Sequence, residues 1–543
     1  MKTYRPYAPE QSFLLPPSPR EWLPEDHLAY VVLDLLEETD LGGITAAMQT
    51  RDPRGERPYS PRMMTALLLY GYAVGVFSSR KIEKATYEDV AFRVLAAGEH
   101  PHFTTINQFR LDHRTAFAEL FQQVLEECMS AGLVKLGHVA IDGTKMKANA
   151  SKHKAMSYER MHKDEARLKA EVEALIARAE AADAEEDERY GVGQQPSDLP
   201  AELRRREDRM AKIREVRAAL KKETAKRRAE ELARQADELR QKAETSPSSE
   251  RQRQEFLTRA AQRDQQSADL DDDDPDPPGV DDDLPRNTPP AAPSGTPKPK
   301  AQRNFTDPDS RIMVRDGSYV QAYNCQLAVD EANQIIVAAA LSNQGPDAQY
   351  FEPMLRRVAW NCQAAPERAT ADSGYFSSEN IRAADRLGSE AFIAVGAHRN
   401  DGLPDDTPTP LKNLQTADRA AMRSLLESER GRAAYARRKA TVEPVFGQIR
   451  AVRGFRQLSL RGLLKARCEW LLVCATHNLL KLWRAASRRS ALAAYAAIAE
   501  VTAASFNATA SPYRLLGVRR HVAGLVPDLE QREHDRQRDP RGR

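Results

Sequence analysis

The period of apolar positions changes along the chain, and each change marks a different kind of element. In "DHLAYVVLDLLEETDL", from Asp26, and "SPRMMTALLLYGYAVGVFSS", from Ser60, apolar residues recur at helical spacing. Pro61 stands at a first helical position, where its missing N–H costs nothing. The stretch from Thr86 to Met129 predicts further helix, with a turn at Gly98 and Pro101. Thr104 or Thr105 is placed to cap a polar helix carrying Asn107, Gln108, Arg110, His113 and Arg114. Helix, turn, polar helix reads either as a DNA-reading helix-turn-helix or as part of a plain helical bundle. Residues 1–132 are therefore expected to form an all-α domain.

From about residue 157 the apolar positions thin out. Leu168, Val172, Leu175, Ile176, then Met210, Ile213 and Leu220 lie among Ala, Glu, Arg and Lys, with a break at "YGVGQQPSDLP". Two long helices in an antiparallel hairpin fit this pattern, as a binding arm or as a solvated charged pair. The following "DLDDDDPDPPGVDDDLPRNTPPAAPSGTPKPK" offers little to bury and is expected to be disordered. Residues 157–301 thus read as an insertion.

The flanking segments share a shorter period. "LGHVAIDGT" is a strand. "SYVQAYNCQLAVDEANQIIVAAALSN" is a hairpin turning at residues 330–333. "DAQYFEPMLRRVAWN" is an amphipathic helix, "RATADSGYF" a strand ending at Asp372, "SENIRAADRLG" a helix, "EAFIAVG" a strand, and residues 416–450 more helix. Three antiparallel strands leading into alternating α and β make an α/β fold, a mixed sheet flanked by helices. Its expected parts are residues 133–156 and 302–490, with 491–543 as a C-terminal tail.

Composition narrows the class. The chain has 543 residues, enough for about three or four domains. Its five cysteines form no CxxC pair, which argues against a zinc site or a disulfide framework and suits a reducing cytoplasm. The N-terminal stretch lacks the apolar core of a signal peptide, and no run reaches a membrane span's length, so neither membrane nor export is expected.

Charge distribution adds candidate chemistry. In "VAIDGTKMKANASKHK" a strand meets Asp142, then Gly143, then Lys145, Lys147 and further cations. Asp372 stands alike, followed by Ser373 and Gly374. If their strands are neighbours, two carboxylates reach one hard cation such as Mg²⁺, while a lone Asp at a strand end is ordinarily a turn residue. Lys145 and Lys147 are candidate phosphate contacts. Asp347 starts a helix and reads as an N-cap. Between residues 431 and 489 there are fourteen Lys or Arg but only two acids, Glu443 and Glu469. Such a face suits phosphate, and Glu443 within it is either a salt-bridge partner or a metal ligand. Pro444 predicts that the helix kinks or starts at Glu443. His477 and Asn478 lie in an apolar run and read as packed or hydrogen-bonded.

Taken in order, "AIDGTKMKANAS", "DPDSRIM…YVQAYNCQLAVD", "TADSGYFS" and "VEPVFGQIR…RGF…LRG…EWLLVCATHNLLKL" resemble a DDE transposase of bacterial insertion sequences over about residues 10–490. The resemblance implies an RNase H-like core, a triad of Asp142, Asp372 and Glu443, two Mg²⁺ ions with Mn²⁺ as a substitute, and DNA strand transfer. Related proteins space Tyr, Arg, Glu and Lys around the last acid more tightly. Here Tyr435, Arg438, Lys439 and Arg450 keep the charge with a looser register, as implied DNA contacts. The partners implied are double-stranded DNA, as terminal inverted repeats and target, and a second copy of the chain bound on it. The setting implied is bacterial cytoplasm at the nucleoid. A metal-dependent nuclease on the same fold and a non-catalytic DNA-binding repressor are the competing readings.

Overall fold

The computed structural model describes residues 18–49, 57–190, 201–245, 249–270, 284–287, 289–396 and 409–509. Residues up to Leu482 form one compact unit, and a second begins at Trp483.

The N-terminal region is helical: α1 (Leu28–Glu38), α2 (Gly42–Gln49), α3 (Pro61–Val74), α4 (Ser79–Glu88), α5 (Val90–Leu95), α6 (Phe103–Asp112) and α7 (Arg114–Ser130). Pro61 opens α3 as expected. Gly75 closes it at φ +89°, a left-handed conformation that favours glycine, and a Cβ there would meet the Arg453 carbonyl oxygen at 2.7 Å. The cap of α6 is His102, whose Nδ1 accepts from Thr104 N at 3.4 Å, not Thr104 or Thr105. Arg110 and His113 are buried. The Arg110 guanidinium donates to Tyr72 Oη at 2.6 Å and lies 3.8 Å from Glu469 Oε1, so it braces the interior and does not read DNA.

The α/β half begins with β1 (Val139–Lys147). A short β2 (Ala155–Ser157) then leads into α8 (Tyr158–Tyr190), α9 (Ala201–Thr245) and α10 (Glu250–Ala268). The insertion therefore holds three helices, not two. Its sparse apolar positions meet as expected: Leu168 on α8 packs with Ile213, Val216 and Leu220 on α9. Residues 271–283 lie outside the described residues. The Pro-rich stretch after them is ordered, contrary to its composition. Leu284 is buried, Asn287 N donates to Asn343 Oδ1 at 2.8 Å, and Arg227 donates to the Pro289 carbonyl at 3.3 Å. Side chains of distant segments, bonded to this backbone, thus supply what composition lacks. β3 (Gln302–Asn304) pairs antiparallel with β2 and closes the base of the insertion.

The chain then adds β4 (Arg311–Arg315), β5 (Ser318–Asp330), β6 (Ile336–Ser342), α11 (Phe351–Cys362), β7 (Arg368–Ala371), α12 (Ser378–Arg386) and β8 (Glu390–Ile393). Next come α13 (Thr409–Glu427), α14 (Glu429–Gly447), a π-helical turn at Gln448–Val452 and α15 (Leu463–Thr509). β5 pairs antiparallel with β1 on one side and with β4 and β6, end to end, on the other. β1 pairs parallel with β7, and β7 parallel with β8. This β6-β5-β1-β7-β8 order is the RNase H-like mixed sheet the sequence predicts, with β4 as an unforeseen extension. Its central strands β5 and β6 are buried on both faces, as expected of a sheet covered by helices.

α14 continues through Pro444, so the helix does not start at Glu443. Proline removes the N–H that would bond the Ala440 carbonyl. Gln334 Nε2 donates to that oxygen at 3.0 Å and makes good the loss. The Asn478 side chain exchanges two hydrogen bonds with the backbone of Ile336, and His477 bonds the Gln334 carbonyl at 2.9 Å, so both are packed as expected.

Glu469 on α15 ties the helical region to the core. Almost wholly buried, it accepts from Tyr72 Oη at 3.0 Å, Ser459 N at 2.8 Å and Leu460 N at 3.0 Å, and from the Ser459 hydroxyl. A neutral Gln keeps only one acceptor oxygen and leaves Arg110 without its counter-charge. Glu469→Gln is therefore expected to lower unfolding stability by about 3 kcal/mol, measured as a lower urea midpoint at unchanged slope.

Candidate active site

Parallel pairing between β1 and β7 stops at Ala140–Thr370. Two residues further on, the same register sets Asp142 level with Asp372, and neighbouring strands run about 4.8 Å apart. Asp372 is still extended (φ −78°, ψ −180°) as the chain leaves β7. Its carboxylate accepts from Gly374 N at 2.9 Å, which starts a 3-10 turn away from the sheet. Asp142 differs from expectation. It does not end its strand: β1 continues to Lys147 because antiparallel pairing with β5 continues to Ala322. Gly143 accordingly makes no turn. A Cβ there would meet Gln326 Nε2 at 2.2 Å and Asp347 Oδ1 at 3.1 Å, so the glycine makes room for those side chains.

Side chains alternate across a strand, and this sorts the site into two faces. Asp142 and Thr144 point toward α14. Arg438 on α14 donates to Asp142 Oδ2 at 3.0 Å, and its guanidinium is itself buried. The Asp142 carboxyl is pushed up to about 6, first by burial and also by the negative charge of Asp372, against the opposing pull of Arg438 and the Gly143 N–H. Two carboxylates thus share one small space, with a single guanidinium supplying positive charge from the helix.

The opposite face holds Asp347, which the sequence reading assigned to a helix cap. It sits at the N-terminal position of a 3-10 turn, but its side chain does not cap. It accepts from Lys145 Nζ at 2.9 and 3.1 Å, Asn324 Nδ2 at 2.7 Å and Gln326 Nε2 at 2.9 Å. Lys145, expected as a phosphate contact, is therefore engaged within the protein. Asp347 lies in the loop after β6, five residues past Ser342, whereas Asp372 directly follows β7.

Glu443 lies on a different face of α14 from Arg438. Five residues along α14 from Arg438, it is rotated about 140° around the helix and is exposed. Arg438 therefore takes the buried face, while Lys439, one turn before Glu443, is exposed beside it. The looser register noted in the sequence has this physical result. Glu443 lines a cleft of about 610 Å³ with Gly143, Thr144, Arg315, Phe446, Gly447, Arg450, Ala451 and Arg456. Tyr435 is half-buried under the Arg438 guanidinium, 5.8 Å from its ring centroid, and Lys147 is exposed. The structure brings Asp142, Asp372, Arg438 and Tyr435 together, and Arg450 to Thr144 at 3.3 Å. It places Glu443 on the cleft wall beside Gly143 and Thr144. Among the described residues, no group of three or more His, Cys, Asp or Glu is arranged to hold a metal ion.

A family model described as a transposase DDE domain matches residues 409–483, which include Arg438, Glu443 and Arg450. A second, described as a transposase domain (DUF772), matches residues 17–112 in the helical region. No curated protein and no solved structure matches the chain. The mixed α/β fold and these two matches make the chain similar to transposases: to a DDE domain over residues 409–483 and to a second transposase domain over residues 17–112.

The raised Asp142 affinity for a proton has a definite sign. The folded value lies above the unfolded value of about 3.9. This group therefore favours the native state most below about pH 4, and the contribution is lost as pH rises to about 6. In a carboxyl-¹³C NMR titration Asp142 should titrate near pH 6 in the wild type, lower in Asp372→Asn and higher in Arg438→Gln. A midpoint near 4 in all three would contradict the paired-carboxylate geometry.

Proposed function

We propose that the chain is a transposase that cleaves DNA at the ends of its element and joins the freed 3′ ends to target DNA, using Asp142, Asp372 and Glu443. The observation that carries the reading is the register of β1 and β7, which sets two carboxylates side by side under a strongly basic helical segment. Phosphoryl transfer demands chiefly positioning and charge neutralisation from a protein, and this arrangement offers both.

The donor set fits a hard divalent cation. Both aspartates present only carboxylate oxygen, and their mutual repulsion is relieved by added positive charge. Asp142 and Asp372 would hold the cation, with phosphate oxygens and water completing its shell. Mg²⁺, with Mn²⁺ as a substitute, is the proposed cofactor, as two ions in the working site. Such ions supply activation of water or of a 3′-hydroxyl and stabilisation of the leaving oxygen when bound. The chain's own residues do the rest. Arg438 holds Asp142 in place and competes with any cation for its Oδ2. Asp347 fixes Lys145 and the Asn324–Gln326 pair behind the catalytic strand. Glu443 faces the cleft from α14, beside Gly143 and Thr144. Double-stranded DNA as end and target, a homodimer on that DNA, and a bacterial cytoplasmic setting at the nucleoid complete the proposal. No helix among the described residues is long and apolar enough to cross a membrane.

Asp142→Asn, Asp372→Asn and Glu443→Gln should each lower cleavage of a duplex carrying the element's ends by at least about 10²-fold, while binding stays within about twofold. Glu443 is exposed, so its variant should also melt as the wild type does. Cleavage in Mg²⁺ at the wild-type rate by any of the three would remove that residue from the site.

A further inference from the structure

The cleft beside Glu443 gathers three guanidinium groups from two separate parts of the chain. Arg315 ends β4 at the tip of the β4–β5 hairpin, Arg450 lies on the π-helical turn after α14, and Arg456 follows it. Strand β7 has ended by this level, and the segment after the π-helical turn takes its place at the end of β1, with Lys147 bridged in parallel to Gln457 and Leu458 N donating to the Lys147 carbonyl at 2.9 Å. Gly143 and Thr144 form part of the wall, and Gly143 directly follows Asp142. The π-helical turn widens the end of α14 where it meets Thr144, a distortion frequent at functional sites.

These cations are weakly neutralised by the protein. Arg315 Nε reaches only the exposed Asp316, at 3.4 Å. Arg450 donates to the Thr144 hydroxyl at 3.3 Å, and Arg456 to the Arg450 carbonyl at 3.4 Å. Glu443 shares the cleft but forms no ion pair with any of the three among the described residues. Arg450 loses its proton more readily than usual, chiefly through burial and then through the charge of Arg315 and Arg456, with Asp316 opposing. The cluster is held together against its own repulsion, an arrangement that a bound anion relieves.

We infer that Arg315 and Arg456, with Arg450 between them, form a phosphate subsite that grips the DNA backbone next to the paired aspartates. This rests on the transposase reading and adds to it the β4–β5 hairpin, which the sequence pattern did not indicate, joined to Arg450 and Arg456 of the basic run that the sequence marked as suited to phosphate. Guanidinium forks match phosphate oxygens, whereas the walls offer few groups to read a base edge. The subsite should therefore hold any sequence alike. It positions the strand at Asp142, and its three arginines are positioning residues.

Binding of a fluorescent mixed-sequence duplex is followed by anisotropy in EDTA from 50 to 300 mM NaCl. Arg315→Gln, Arg450→Gln and Arg456→Gln should each weaken binding and make the slope of log K against log salt shallower by about one, and the matching Lys variants should restore it. Phenylglyoxal modification of the wild-type chain, read by peptide mass spectrometry, gives a second measure independent of variant folding: duplex DNA should slow modification of all three arginines. Wild-type slopes in all the Gln variants, or equal modification with and without DNA, would overturn the subsite while a DNA-binding wild type keeps the transposase reading. Protection by poly-aspartate but not by duplex would assign the cleft to an acidic protein segment and overturn it too. Absence of salt-dependent duplex binding by the wild type would bring down both.

Discussion

The site depends on where one strand stops and its neighbour continues. β7 ends at Ala371, but β1 runs on beside β5 to Lys147. At that step Asp142 and Asp372 lie in register on adjacent parallel strands, and the segment around Gln457 replaces β7 beside the end of β1. Two carboxylates so placed, one of them largely buried, repel each other. The fold answers with a single guanidinium, Arg438, from the helix crossing that face. The Asp142–Arg438 pair therefore sets both the charge and the position of the acid site. It also joins α14, which carries Glu443, to the central strand.

The rest of the molecule supports this step. On the far face, Asp347 gathers Lys145, Asn324 and Gln326, and Gly143 leaves the room they need. Above α14, the loss of one helical hydrogen bond at Pro444 is offset by Gln334. The π-helical turn then swings Arg450 toward Thr144. Glu469 binds Tyr72 and two backbone amides, locking the helical region onto α15. A buried acid that accepts from several donors is costly to disturb, so the helical region and the sheet are held as one unit.

Much of this was legible in the sequence because it follows from local period and chain order. Alternating apolar runs announced β5 and β6, short buried runs announced β7 and β8, and the order of acidic motifs indicated the family. What escaped depends on contacts between distant segments. Arg438 and Glu443 looked alike as polar residues of one basic helix, yet five residues of helical rotation bury the first and expose the second. Asp347 resembled a cap because its partners, Asn324 and Gln326, lie on a distant strand of the hairpin, and local sequence does not show which side chains meet. The Pro-rich segment after Leu284 looked unable to order because its support comes from Arg227 and Asn343, far along the chain. Arg315 gave no signal, since the β4 hairpin that presents it was not recognised as a strand pair.

The most direct measurement is anomalous diffraction from crystals of the full chain soaked in Mn²⁺, whose scattering separates it from water. The account predicts a peak bridging Asp142 and Asp372, with Arg438 drawn back from Asp142 Oδ2. A well-occupied peak elsewhere, with the Asp142–Arg438 pair intact and no density between the two aspartates, would contradict it.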